Sequence, residues 1–106
     1  MEKLQNDEKT YESLDCFNRL VDETRNEILA LLKNPESMPK YMIDRQLHSI
    51  LEELNKMRTA IGQFDFYPYY PKGITDCWDY NDNLAKKLMH IAEIYQKLNS
   101  ELLGYK

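Results

Sequence analysis

Two histidines, two cysteines and one carboxylate-rich turn are the groups in this sequence that could move protons, bind metals or act as nucleophiles. A di-metal site inside a helical bundle needs Glu-x-x-His motifs projecting inward from two helices. Neither His48 nor His90 has a Glu three residues before it, and His90-x-x-Glu93 runs in the reverse order. Both histidines flank apolar stripes, beside Leu47 and Ile91, and are read as structural or solvent-facing. "DYNDNL" (79–84) opens like a calcium loop with Asp79, Asn81 and Asn83 at alternate positions. The sixth position of such a loop requires Gly and the twelfth a bidentate Glu, and here they hold Leu84 and His90. Acidic capping of a helix explains the same residues.

Nucleophilic catalysis requires an activated Cys or Ser beside a base. Cys16 lies next to one apolar stripe and Cys77 within another, so both are expected to be buried and inert. The three glycines, at 62, 73 and 104, stand alone and form no phosphate-cradling loop. Adjacent carboxylates such as Asp22-Glu23 and Glu52-Glu53 share their helical faces with Lys and Arg, which marks solvated surface. The sequence therefore predicts no catalytic residues, no metal site and no cofactor, and the chain is read as a non-enzyme.

The elements that would carry these residues are helical. A chain of 106 residues has room for one domain, taken as 1–106. Few Gly and Pro favour long helices. Apolar residues recur at helical spacing in three runs: Leu14, Phe17, Val21, Ile28, Leu31 and Leu32 within about 8–33; Ile43, Leu47, Ile50, Leu51, Leu54, Met57 and Ile61 within about 40–62; and Cys77, Tyr80, Leu84, Leu88, Ile91, Tyr95, Leu98 and Leu102. Asp76, Asp79 and Asp82 are placed in the first turns of the third run, and Gly104 ends it. The expected fold is all-α: an antiparallel bundle of three long helices, each of more than about twenty residues, with room for a short fourth in the 63–75 connector.

A net charge of −4, from 14 basic and 18 acidic residues, leaves no basic patch to displace counterions from nucleic acid or to hold an anionic membrane. The N-terminal "MEKLQNDEKT" has no apolar core of a signal peptide, and the longest apolar run is the five residues of "ILALL" (28–32). Two isolated cysteines form no disulfide framework. The expected location is the cytoplasm.

One segment concentrates unusual chemistry. "FDFYPYYPKGITDCWD" (64–79) holds six of the twelve aromatic residues, and residues 64–83 carry four acids against Lys72 alone. Phe64, Phe66 and Trp78 are expected to pack inward, with Pro68 and Pro71 stiffening an extended crossing. The tyrosines can bury a ring and still present a hydroxyl, as interface anchors do. The predicted partner-binding set is Asp65, Tyr67, Tyr69, Tyr70, Asp76, Trp78, Asp79, Tyr80 and Asp82, facing a basic protein.

Within that segment "YYPKG" (69–73) resembles the Tyr-Tyr-Pro-Lys segment of the DNase-colicin immunity proteins, small acidic helical proteins that neutralise a basic nuclease. The likeness implies that Tyr69 and Tyr70 are the partner-binding pair. Where that family has an Asp three positions before the pair, this chain has Phe66. The expected function is a non-enzymatic protein-binding module, a small inhibitor, antitoxin or immunity-type protein. Two alternatives are a self-associating homodimer closed by the same aromatics, and a small-molecule or enzymatic pocket lined by Tyr67, Tyr69, Tyr70, His90 and Tyr95.

Overall fold

Asn34-Pro35 ends the first helix, because a proline disfavours helical backbone in the residue before it. Asn34 accordingly sits at φ −126°, ψ 74°. A computed structural model describes the backbone at residues 2–79 and 81–104 and the side chains at 13–79 and 81–104. Among the described residues the chain forms four α-helices, one short 3-10 turn at Pro35–Ser37, and no strand: α1 (Glu2–Lys33), α2 (Asp44–Ala60), α3 (Tyr70–Cys77) and α4 (Asn83–Leu103). None of them is long and apolar enough to cross a membrane.

The core follows the predicted stripes. Phe17, Val21, Thr24 and Ile28 of α1 face Leu47, Ile50, Leu54 and Met57 of α2 and Leu84, Leu88, Ile91, Tyr95 and Leu98 of α4, all buried. Fully burying one such apolar side chain contributes about 1.5–3 kcal/mol. Between α1 and α4 the contacts run in opposite chain order, Phe17 against Tyr95 and Glu27 against Lys87. α3 packs on both α4 and α2. Two surface ion pairs tie α1 to its neighbours, Arg58–Asp22 at 2.6 Å and Lys87–Glu27 at 2.7 Å. Partly exposed pairs of this kind are worth about 0–1 kcal/mol, so apolar burial carries the packing.

The helix boundaries differ from the expected ones in three places, the first being α1, which starts at Glu2 and not near residue 8. The second helix begins at Asp44 and not near 40, and its 17 residues fall short of the expected length. Pro39 to Met42 instead forms a turn closed by the Met42 N–H on the Pro39 carbonyl at 3.0 Å. Ile43, expected on the buried stripe, is the extended residue before α2 and is exposed, while Met42 takes its place in the core. The turn is fixed from a distance, since the Tyr41 hydroxyl donates to the Asp82 carboxylate and its ring packs on Trp78.

The last helix begins at Asn83, so Cys77 and Asp76 belong to α3 and Asp79 to the turn between the two. Asp79 accepts the Asn81 N–H at 2.9 Å, a local bond that competes with helix formation. Asp82 is the N-cap of α4, accepting the N–H groups of Leu84 at 2.8 Å and Ala85 at 3.1 Å. Tyr80, placed in the third stripe by its spacing, lies outside the described residues. Cys16 and Cys77, both expected to be buried, are exposed, because each lies off the face that its own helix buries.

Asp82 thus has two duties, capping α4 and anchoring Tyr41. Asp82→Ala is expected to lower unfolding free energy by about 1–2 kcal/mol in urea denaturation, whereas Asp79→Ala changes it by no more than about 0.5 kcal/mol. Equal effects of the two substitutions would contradict this assignment.

Candidate functional site

The segment after α2 leaves the helix through Gly62, whose φ of 75° favours a residue without Cβ. Its N–H donates to Asn99 Oδ1 at 2.7 Å, and Asn99 Nδ2 donates to the Phe64 carbonyl at 3.0 Å. Asn99 is buried in α4, so one side chain holds both ends of this bend. Further along, the Tyr95 hydroxyl donates to the Phe66 carbonyl at 2.7 Å. The Phe66 ring is half-buried, edge-on to Tyr95 at 6.5 Å, with Lys56 Nζ 5.3 Å from its centroid on the other side.

The start of α3 is held by another helix. α3 has no capping side chain of its own, and Tyr69, the residue before it, is already in the helical region at φ −94°, ψ −17°. The Tyr69 and Tyr70 N–H groups donate instead to the two carboxylate oxygens of Glu53 on α2, at 2.6 and 2.8 Å. Pro71, expected to stiffen an extended crossing, lies in the first turn of α3, where a missing N–H removes one donor that would otherwise need a partner.

The aromatic side chains divide into two groups. Tyr70 is 4% exposed, with its hydroxyl donating to the Leu88 carbonyl at 2.7 Å, and Trp78 is 6% exposed, with its indole N–H on Gln46 Oε1 at 2.8 Å. These two hold the segment down, together with Phe66. Phe64, expected to face inward, is 62% exposed, because its carbonyl and not its ring is what Asn99 holds. Tyr67 and Tyr69 are 46% and 85% exposed. Of the predicted partner-binding residues, Asp65, Tyr67 and Tyr69 share one outward-facing stretch with Phe64.

The acidic residues also divide. Asp65 lies among the exposed rings, while Asp76 is exposed in the last turn of α3 and Asp79 is exposed just past its end. The rise from Tyr70 to Asp76, about 9 Å at 1.5 Å per residue, puts the second group at the opposite end of α3 from the rings. Asp82 is half-buried and committed to its cap.

No family model, curated protein or solved structure matches this chain. The likeness of "YYPKG" to the immunity proteins therefore rests on those five residues, and within them the tyrosine pair is split, Tyr69 outward and Tyr70 inward. The residues of the pocket alternative are dispersed. Tyr70 and Tyr95 are core, Tyr67 and Tyr69 are on the surface, and His90 lines an open groove between α3 and α4 with Ile74, Thr75, Met89 and Glu93. Among the described residues, no three His, Cys, Asp or Glu side chains converge as metal ligands would.

Sequence reasoning missed Glu53, Asn99, Gln46 and Tyr41, which position the segment without belonging to it. Only Pro71 gave a local signal, as a proline suited to a helix start. Glu53→Ala is expected to cost about 1–3 kcal/mol, since two hydrogen bonds to a charged group are lost at a partly exposed site. The same substitution should release the Tyr69 and Tyr70 N–H groups to hydrogen exchange, and unchanged protection at both would refute the capping role.

Three tyrosines bind their protons more tightly in the folded chain. The bond to Asp82 and then burial push Tyr41 from 10.0 up to about 12, burial pushes Tyr95 up to about 12, and burial beside Glu53 raises Tyr70 as well. The folded values exceed the unfolded one, so this contribution to stability is complete below pH 10 and is lost as pH rises toward 12. Ellipticity should fall together with the last part of the tyrosinate absorbance change, and Tyr41→Phe should remove part of that last phase; full tyrosine ionisation with helices intact would contradict it.

Proposed function

We propose that this chain is a non-enzymatic protein-binding module of inhibitor, antitoxin or immunity type, acting on a basic partner through the surface of Phe64, Asp65, Tyr67 and Tyr69. In this reading α1, α2 and α4 form an antiparallel bundle that serves as a rigid scaffold, with the segment and α3 laid along it. The observation that carries the proposal is the exposure of three large rings on backbone that is hydrogen-bonded at Gly62, Phe64, Phe66, Tyr69 and Tyr70. A surface held in its binding conformation loses little freedom on association, which is where interface affinity is commonly lost. Aromatic anchors surrounded by charge are the usual centres of such interfaces.

Charge supports the choice of partner. The net charge of −4 and the exposed Asp65, Asp76 and Asp79 attract a basic protein over distance and speed encounter more than they tighten the complex. Asp76 and Asp79, at the C-terminal end of α3, steer and the rings hold. Tyr70, Trp78 and Asp82 support the surface from beneath.

The test is stoichiometric complex formation with a basic protein, followed by stopped-flow association rates at two salt concentrations. Asp65→Lys, Asp76→Lys and Asp79→Lys together are expected to slow association at least about tenfold at low salt, in line with the range of electrostatic steering. Association unaffected by the triple substitution would remove the basic-partner reading. The exposed Phe64 and the nearby exposed Leu102 also favour a second reading, closure of a homodimer. A strictly monomeric mass over a range of concentrations eliminates it.

A further inference from the structure

We infer that the stretch Phe64 to Tyr69 is an arginine-binding surface, on which a guanidinium group of the basic partner stacks against exposed rings and pairs with Asp65. This rests on the protein-binding reading and names the chemistry that the surface would take. The segment already holds one cation in this way, Lys56 Nζ lying 5.3 Å from the centroid of Phe66. The three neighbouring rings, Phe64, Tyr67 and Tyr69, are exposed, and among the described residues no Lys or Arg lies over them. Asp65, between the first two in the chain, is exposed and has no ion-pair partner among the described residues. Rings that face solvent with a carboxylate between them attract a cation through both the ring quadrupole and Coulomb's law.

Guanidinium fits this arrangement better than ammonium. It is planar, so it stacks on a ring face while its edge donates two parallel hydrogen bonds to a carboxylate; it also sheds its hydration more easily. A lysine can also lie over a ring, as Lys56 does, but its ammonium has no plane to stack and no fork to match a carboxylate. The pinned backbone matters here as well, since the Phe66 carbonyl and the Tyr69 N–H are fixed by Tyr95 and Glu53 and hold the main chain that carries the rings.

The experiment compares hexa-arginine and hexa-lysine peptides binding to the whole chain at low salt, by calorimetry. Hexa-arginine is expected to bind about fivefold tighter, the size of one cation–π contact at an exposed site. Phe64→Ala, Tyr67→Ala and Tyr69→Ala together should abolish the difference while leaving helix content and Trp78 emission unchanged, and Tyr67→Phe with Tyr69→Phe should retain it. Asp65→Asn should weaken hexa-arginine more than hexa-lysine. Equal binding of the two peptides, or a preference that survives loss of all three rings, overturns the arginine site. If a basic protein still forms a stoichiometric complex in that case, the protein-binding reading survives; absence of binding by either peptide and by any basic protein removes both.

Discussion

The carboxylate of Glu53 is the contact on which the connector's geometry depends. An eight-residue helix is too short to persist in water by itself, and α3 carries no Ser, Thr, Asp or Asn at its start to satisfy its first N–H groups. α2 supplies the acceptor from outside. Because both oxygens are used, on consecutive N–H groups, the carboxylate fixes where α3 starts and the direction in which it leaves. Its negative charge also sits at the positive end of the α3 dipole. The buried Tyr70 and Trp78, at opposite ends of α3, then set its depth, each with its one polar tip satisfied by α4 or α2.

This arrangement lets a segment rich in aromatics keep some of them in water. Burial of all the rings would have been the simplest outcome for a connector crossing a helical core. Instead the main-chain polar groups of residues 62–70 take the contacts with α2 and α4, at Asn99, Tyr95 and Glu53, and only Phe66 and Tyr70 turn their rings inward. Anchoring through backbone leaves side chains free to vary or to bind. The electrostatics follow the same division: acids that hold structure, Glu53 and Asp82, are saturated with hydrogen bonds, while Asp65, Asp76 and Asp79 face solvent.

The stripes of Phe17, Val21 and Ile28, of Leu47 to Met57 and of Leu84 to Leu98 were legible because a helix of ordinary length writes its buried face at a fixed period. The boundaries at 40–44 and 77–83 were not. There the outcome is decided by Tyr41 reaching Asp82 and by Trp78 reaching Gln46, contacts between residues more than thirty positions apart that no local pattern encodes. In the connector, aromatic content was legible but ring direction was not, since it depends on which atoms of the segment, backbone or side chain, meet Asn99 and Tyr95. Asp76, Asp79 and Asp82 look alike as a series, and only Asp82 faces a pair of free N–H groups at the right place.

The bend at Gly62 has a bearing on how sequences of this kind can diverge. Asn99 uses its oxygen on one side of the bend and its nitrogen on the other, and Leu102, one turn later, lies 3.3–3.4 Å from where a Cβ on residue 62 would stand. An Asp at 99 would keep the acceptor and lose the donor, a Leu would lose both, and a longer Gln would not fit the same span. A side chain at 62 would have to displace Leu102. The two positions are therefore locked as a pair, while the exposed rings between them and α3 are under no such constraint from the fold. Distant descendants of this chain would be recognised by a glycine at the end of the second helix and an asparagine near the end of the last, long after the aromatic segment had been rewritten to suit another partner.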